Sequence, residues 1–199
     1  GRYDHVVDQL TEAGIATLRF DYRGHGQSSG SRGHITSFDE YLGDLEAAVA
    51  LTERRWPDAP RFLLGHSQGG LIVLLYLAER GGDPKGAVVT SPFLGFAMKV
   101  PAWKALAGRG LSRFVPSFSM PTGLDAGLLT HVSEAVAAYQ ADPLVHGVAS
   151  SRWFTEVEQA HERVRRSAPQ IDVPLLALQA GDDQIVSPAA TEALVERIG

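Results

Sequence analysis

The stretch from Phe62 to Arg80 most constrains the fold, because an apolar strand runs through a short turn directly into an apolar helix. It reads FLLGHSQGG and continues as LIVLLYLAER, which is apolar on all sides and is typical of a buried helix. The apolar runs GAVVTSP (86–92) and PLLALQA (174–180) indicate two further buried strands. Alternation of such strands with helices predicts an α/β protein with a mostly parallel sheet and helices on both faces.

Segments on either side extend this alternation. Residues 2–13 predict a helix and residues 15–20, IATLRF, a short strand. Ser37 and Glu40 are spaced as a capping box, and Ser187–Pro188 is typical of the start of a last helix. The apolar face of the helix after the capping box consists of Phe38, Tyr41, Leu42, Leu45, Ala48 and Val49.

The pattern changes between residues 93 and 171, where proline and glycine are frequent and no strand is evident. Helical patterns at about 101–112 and 150–167 predict a mostly helical insertion. We therefore divide the chain into an α/β core, residues 1–92 and 172–199, and a helical cap, residues 93–171.

Composition excludes several functions. The chain has no cysteine, so disulfides, thiolate catalysis and Cys-bound zinc are excluded. A net charge of −5 with scattered Arg and Lys argues against a nucleic-acid partner. The longest apolar stretch, Leu71 to Ala78, is too short to span a bilayer. These features favour a cytoplasmic or membrane-peripheral protein, although the chain starts at Gly1 and a removed signal stays open, as does the oligomeric state.

The turn Gly65-His66-Ser67-Gln68-Gly69 fits the pattern G-x-S-x-G. Its place between a buried strand and a buried helix is the setting of a nucleophile elbow. Gly65 and Gly69 are expected where neighbouring backbone passes close to a strained serine. The helix N-terminus favours developing negative charge, so the Gln68 amide is the expected oxyanion donor. The alternative is a plain glycine-rich turn with an incidental serine.

At this point the chain resembles the α/β-hydrolase family, and specifically its monoacylglycerol lipase and lysophospholipase-like branch of the serine aminopeptidase S33 type. The matching pieces are residues 1–45, LLGHSQGG, DPLVHG and PLLALQAGDDQIVSPAAT, and they cover nearly the whole chain. The resemblance implies an ester hydrolase that needs no metal or organic cofactor. It implies Ser67 as nucleophile and an acid in the loop after residues 174–180.

Two adjacent carboxylates compete for the role of that acid, Asp182 and Asp183. The family pattern D-x-x-V is satisfied by Asp183-Gln184-Ile185-Val186, which favours Asp183. A calcium loop would need further oxygen ligands at suitable spacing, so a metal role for the pair is not expected.

The base of a Ser-His-Asp triad should follow the acid along the chain, but no histidine lies beyond His161. His66 should point away from Ser67. His25 and His34 lie in the loop after residues 15–20, where the resemblance implies a structural role for RGHG (23–26), and the remaining candidates His131, His146 and His161 belong to the insertion. We therefore expect the catalytic histidine, and an upstream His-Gly oxyanion loop, to lie outside these 199 residues. A polypeptide of this extent should hydrolyse esters poorly.

The cap carries a run of large apolar residues that suits a lid over an acyl-binding cleft, or equally the packing of the cap on the core. These residues are Phe96, Met98, Trp103, Leu106, Leu111, Phe114, Phe118 and Met120. The resemblance favours a monoacylglycerol or lysophospholipid substrate and transient contact of the cap with a membrane surface. Peptidases and small-ester hydrolases share the fold and stay open.

Two other classes of protein are alternatives to an ester hydrolase. A nucleotide-binding oxidoreductase would use Gly24, Gly26 and Gly30, but no helix opens on these glycines to hold a pyrophosphate. A non-catalytic binding protein of the α/β-hydrolase fold would explain the missing histidine, whereas the intact elbow favours an enzyme.

Overall fold

The computed structural model describes residues 3–97 and 102–198, with side chains from residue 108 onward in the second range. The elements in chain order are α1 (Asp4–Glu12), α2 (Asp39–Arg55), β1 (Phe62–His66), α3 (Gln68–Glu79), β2 (Gly86–Thr90), α4 (Ala102–Phe114), β3 (Ser119–Pro121), α5 (Ser133–Ala141), β4 (Val148–Ser150), α6 (Ser151–Ser167), β5 (Leu175–Leu178) and α7 (Pro188–Val195). Short 3-10 helices span Ala126–Leu128 and Ala168–Gln170.

The centre of the core is a parallel sheet with the strand order β1-β2-β5. Gly65 is in register with Val89, and Val89 with Ala177. Because all three strands run the same way, the turns that follow them meet at one edge of the sheet. This arrangement confirms the parallel α/β sheet expected from the sequence.

Helix α3 forms the middle of the hydrophobic core, as its all-round apolar sequence predicts. Every residue from Gly70 to Ala78 is buried, and the helix packs on β1, β2, α2 and α6. The predicted apolar face of α2 is also confirmed, since Phe38, Tyr41, Leu42 and Leu45 are buried. Helix α7 begins as expected, with the Ser187 hydroxyl accepting a hydrogen bond from the Ala190 amide.

The opposite face of the sheet differs from the expectation. Phe62 and Leu64 of β1 and Leu176 and Leu178 of β5 are each more than half exposed. The prediction that these strands are buried on both faces is therefore wrong for the part of the chain that is described. The strand predicted at 15–20 is not found, because these residues form no ladder with any described strand.

The capping box at α2 is replaced by a different arrangement. The Glu40 carboxylate accepts from the Thr36 amide and hydroxyl at 3.0 and 2.9 Å, one residue further back than Ser37. The N-cap residue, Phe38, donates its amide to the buried carboxylate of Glu156 at 3.1 Å. A carboxylate from the cap therefore completes the start of a core helix, which local sequence spacing cannot reveal.

The cap is built on α4 and α6, which pack against each other. The expectation that it contains no strand is wrong, because β3 and β4 form a short antiparallel ribbon. Arg163 of α6 joins cap to core through ion pairs with Asp39 and Glu79, and these partners raise the pKa of its guanidinium. The division into core and cap at residues 93 and 171 stays a prediction.

The loop at residues 23–33 is a compact turn. Gly24, Gly26 and Gly30 all have positive φ, and a Cβ on Gly24 would lie 2.6 Å from the Ser31 carbonyl oxygen. The next helix begins only at Asp39. These glycines thus serve the packing of the loop itself, and no helix N-terminus opens on them.

Within the described ranges, no helix is long and apolar enough to cross a membrane. The same residues contain no group of three or more His, Asp or Glu side chains placed to hold a metal ion.

Candidate active site

Ser67 lies at the turn between β1 and α3, so the predicted strand–turn–helix setting is confirmed. Its backbone has φ of 52° and ψ of −117°, a conformation that costs a residue with a Cβ about 1–3 kcal/mol. Two hydrogen bonds to the turn after β2 hold it there. The Ser67 amide donates to the Thr90 carbonyl at 3.0 Å, and the Phe93 amide donates to the Ser67 carbonyl at 2.9 Å. The strain is therefore imposed by tertiary contacts, as is common at functional sites.

Close backbone packing around the turn accounts for two glycines. A Cβ added to Gly65 would lie 2.4 Å from the Gly69 carbonyl oxygen, and one added to Gly70 would lie 2.8 Å from Cβ of Pro92. At Gly69 an added Cβ would meet no described atom within 4 Å. The steric requirement expected at Gly65 and Gly69 therefore falls on Gly65 and Gly70. The only signal for Gly70 in the sequence is its place in a glycine pair.

Replacing Gly65 with alanine should lower the free energy of unfolding by about 1–3 kcal/mol, because backbone atoms must move to admit the Cβ. Gly69→Ala is the matched control and should leave stability unchanged or raise it by up to about 1 kcal/mol, since alanine favours a helix. Urea unfolding followed by circular dichroism measures both. Equal destabilisation by the two variants would contradict the packing described for the turn.

The first turn of α3 presents free backbone amides beside Ser67. Gln68 is the first residue of the helix, and the first amides of a helix have no partner within it. The Gln68 side chain is turned inward: its Nε2 is buried and bonds to no described residue. It lies near the Tyr41 hydroxyl, whose pKa burial raises to about 12. The backbone amide of Gln68 is thus the group that can serve an oxyanion.

Asp183 lies in the turn that follows β5, and backbone amides fix its carboxylate. Oδ1 accepts from the amides of Ile185 at 3.0 Å and Val186 at 2.9 Å, and Oδ2 accepts from the Gln179 side chain at 3.4 Å. Asp183 is half-buried, whereas Asp182 is exposed. Of the two carboxylates, only Asp183 is therefore held in one orientation by the described backbone.

The sheet brings the turns of Ser67 and Asp183 to the same edge, with β2 between them. Strands two positions apart are separated by on the order of 10 Å. This separation leaves room for one imidazole ring between a serine hydroxyl and a carboxylate. The arrangement can therefore hold a histidine that bonds to both groups.

No contact found among the described residues joins a histidine ring to Ser67. Nδ1 of His66 lies 2.8 Å from the Thr90 hydroxyl, and Nε2 of His161 donates to the Phe93 carbonyl at 2.8 Å. The others are placed elsewhere: His5 and His131 are exposed, the rings of His25 and His146 contact each other, and His34 bonds to Ser150.

The large apolar residues of the cap lie in several different environments. Phe96 contacts Phe93 at a ring-centroid distance of 4.9 Å, close to the segment that bonds Ser67. Phe114, Phe118 and Met120 are exposed, and Phe114 is exposed by 79%. Leu111 is half-buried. Met98 and the side chains of Trp103 and Leu106 lie outside the described part of the chain.

His161 is a buried residue of α6, and burial lowers its pKa to about 4. The unfolded chain takes up a proton near the ordinary histidine pKa of about 6.5, so the fold is fully stabilised above that pH and loses stability as the pH falls toward 4. We expect His161 to account for about 2 kcal/mol of stability lost between pH 7 and pH 5.

Urea unfolding at pH 7 and pH 5 tests this pH dependence. His161→Gln, which retains a donor for the Phe93 carbonyl, should reduce the loss of stability between the two pH values. His131→Gln, at an exposed position, should leave it unchanged. An identical pH dependence in wild type and His161→Gln would contradict the expectation.

Comparison with known proteins places this geometry in a family. A model of the family described as serine aminopeptidase, S33, matches residues 1–199. An uncharacterized abhydrolase domain-containing protein of Dictyostelium discoideum is 38% identical over the whole chain. Phospholipase YtpA of Bacillus subtilis is 34% identical over 94% of the chain. The crystal structure of Paleococcus ferrophilus monoacylglycerol lipase superposes on the whole chain with a TM-score of 0.90 and 34% identity.

The parallel sheet and the Paleococcus structure define an α/β-hydrolase fold, which confirms the fold class expected from the sequence. The chain belongs to the serine aminopeptidase S33 family. It spans 21% of the Dictyostelium relative, 72% of the Bacillus phospholipase and 75% of the Paleococcus lipase chain.

Proposed function

We propose that this chain carries the nucleophile, the oxyanion donor and the acid of a serine hydrolase that cleaves carboxylic esters through an acyl-enzyme. The observation that carries the proposal is the strained Ser67 at the N-terminus of α3, two strands away from the fixed carboxylate of Asp183. A serine held in this conformation exposes its hydroxyl at the sheet edge. A carboxylate held by two amides is suited to orient an imidazole.

The steps follow from these placements. Ser67 Oγ attacks the ester carbonyl while a histidine takes its proton, and the Gln68 amide donates to the oxyanion of the tetrahedral intermediate. The intermediate expels the alcohol, which receives the proton from the imidazolium, and leaves an acyl group on Ser67. Water then attacks the acyl-enzyme with the same histidine as base, releasing the fatty acid and restoring the serine.

The base itself we assign to a histidine outside these 199 residues. Two observations support this assignment. His66 and His161 bond to the Thr90 hydroxyl and the Phe93 carbonyl. The turns after β1, β2 and β5, which meet at one edge of the sheet, carry no other histidine. A polypeptide limited to residues 1–199 should therefore hydrolyse esters at least about 10³-fold more slowly than the intact protein.

For the substrate we propose a monoacylglycerol or a lysophospholipid. The names of the relatives, a phospholipase and a monoacylglycerol lipase, support a lipid ester in preference to a peptide. The aromatic cluster of Phe93, Phe96, Trp153 and Phe154, next to the segment that bonds Ser67, supplies apolar surface for an acyl chain. A peptidase or small-ester hydrolase is the second candidate, because the same family carries the name serine aminopeptidase.

Hydrolysis rates of the intact protein on four substrates test the proposal. We expect the highest kcat/KM on monooleoylglycerol or lysophosphatidylcholine, a lower value on p-nitrophenyl acetate, and none on an aminoacyl p-nitroanilide. A higher kcat/KM on the anilide than on the lipid esters would contradict the lipase proposal and favour a peptidase. Loss of all four activities, with binding of monooleoylglycerol retained, would favour a non-catalytic binding protein.

We also propose that the cap contacts membrane surfaces transiently. The support is a group of exposed apolar side chains between the end of α4 and β3, namely Phe114, Val115, Phe118 and Met120. Such side chains can enter the boundary between headgroups and acyl chains. Phe114→Asp should abolish sedimentation of the intact protein with phosphatidylcholine vesicles. The control is Leu51→Asp, at an exposed apolar position of α2 in the α/β core, and it should leave sedimentation unchanged.

A further inference from the structure

Ser91 is the other non-glycine residue with positive φ in the described chain, at φ of 39°. It lies directly after β2, the middle strand, between the turn of Ser67 and the turn of Asp183. A left-handed conformation costs a residue with a Cβ about 1–2 kcal/mol, so a second strained serine at the same sheet edge needs a cause. No motif in the sequence singles it out.

On one side, the segment from Thr90 to Phe93 holds the nucleophile turn. The Thr90 carbonyl accepts a hydrogen bond from the Ser67 amide, and the Phe93 amide donates one to the Ser67 carbonyl. Pro92, between them, packs against Gly70. The positive-φ residue Ser91 lies between these two bonding residues, Thr90 and Phe93. We therefore expect the strained conformation of Ser67 to depend on the backbone shape at Ser91.

On the other side, Ser91 itself holds the start of the turn that carries the acid. Its amide donates to the Leu178 carbonyl at 2.7 Å, and its Oγ accepts from the Ala180 amide in a long hydrogen bond of 3.4 Å. Ala180 lies three residues before Asp183. Ser91 is thus bonded to the acid loop and, through its neighbours, to both backbone groups of Ser67.

We propose that Ser91 is a positioning residue that sets the distance and angle between Ser67 and Asp183, with its backbone shape serving the nucleophile turn and its hydroxyl serving the acid loop. This inference rests on the proposed serine hydrolase function. Displacement of catalytic groups by about 1 Å can reduce a rate about 10²-fold, so the loss of one such contact has a measurable effect on kcat.

Three substitutions separate the hydroxyl from the backbone shape. Ser91→Gly removes Oγ but adopts positive φ freely, so we expect unchanged or higher stability with kcat lowered about tenfold and KM unchanged. Ser91→Thr keeps an oxygen but resists positive φ, so stability should fall while kcat per folded molecule is retained. Ser91→Ala loses the Oγ contact and keeps a Cβ at positive φ, so it should lower both the stability and kcat. Ser119→Ala, an exposed serine in β3, is the control and should change neither.

The pH profile of kcat/KM gives a readout that a purely structural role would not move. In Ser91→Gly and Ser91→Ala the acid limb should shift to lower pH, because a displaced Asp183 stabilises the imidazolium less. A kcat of Ser91→Gly within twofold of wild type, or a kcat that only follows stability across the three variants, would overturn the inference alone. A wild-type protein without Ser67-dependent hydrolysis would overturn the inference and the proposed function together.

Discussion

Replacing Ser67 with alanine should abolish ester hydrolysis by the intact protein, lowering kcat/KM by at least roughly 10⁴-fold. The Ser67 hydroxyl oxygen is the atom that forms the acyl-enzyme, and within the described site Ser67 is the serine that stands between a strand and the N-terminus of a helix. Removing the nucleophile of a triad leaves only the modest rate enhancement that binding and oxyanion contacts supply. Initial rates on monooleoylglycerol, measured at equal concentrations of folded protein, give the ratio.

The fold of this variant should be unaffected, which makes the result interpretable. Alanine carries the same Cβ as serine, so the backbone strain at φ of 52° and the bonds to Thr90 and Phe93 stay as they are. Urea unfolding should therefore match wild type within about 0.5 kcal/mol. Activity within tenfold of wild type in a folded Ser67→Ala protein would show that another group attacks the ester.

Replacing Asp183 with asparagine should lower kcat/KM by about 10³–10⁴-fold, with most of the effect in kcat. The amide oxygen can still accept from Ile185 and Val186, so the loop keeps its shape. The charge that stabilises the imidazolium is lost, and the neutral amide favours the wrong histidine tautomer. Steady-state rates from pH 6 to pH 9 separate this loss of charge from a change in substrate binding.

Asp182→Asn is the matched control, since it makes the same chemical change one residue away on an exposed side chain. It should leave kcat/KM within about twofold of wild type. The opposite pattern, with Asp182→Asn inactive and Asp183→Asn active, would transfer the acid role to Asp182 and contradict the D-x-x-V spacing from which Asp183 was chosen.

The sequence was sufficient where structure depends on residues close together along the chain. The apolar run of α3 follows from its own composition, and the turn at Ser67 follows from the strand before it and the helix after it. The start of α7 depends on a serine and a proline at adjacent positions. In each case the competing interactions are local, so spacing and residue type decide the outcome.

It was insufficient where a partner lies far away along the chain. The N-cap of α2 is completed by Glu156, 118 residues away from Phe38 along the chain. The capping box predicted from the local spacing of Ser37 and Glu40 is therefore wrong. Residues 15–20 have strand-like composition, but a strand needs a neighbour with which to form its ladder. The ribbon of β3 and β4 has three residues on each side, too short for a periodic signal.

The site shows the same division. Gly65 and Ser67 are recognisable from the G-x-S-x-G pattern and its setting. Gly70 and Ser91 are not, because their constraints come from Pro92 on another strand turn and from the loop after β5. Backbone strain at a serine has no signature in composition, so the role of Ser91 becomes visible only in the three-dimensional structure.

The most direct test of the central claim is the position of the covalent adduct after the intact protein reacts with a fluorophosphonate. Peptide mass spectrometry should find one adduct, on the peptide that contains Ser67. It should be absent in Ser67→Ala and reduced by prior incubation with monooleoylglycerol. No adduct, or an adduct on a different serine such as Ser91, would contradict the assignment of Ser67 as the nucleophile.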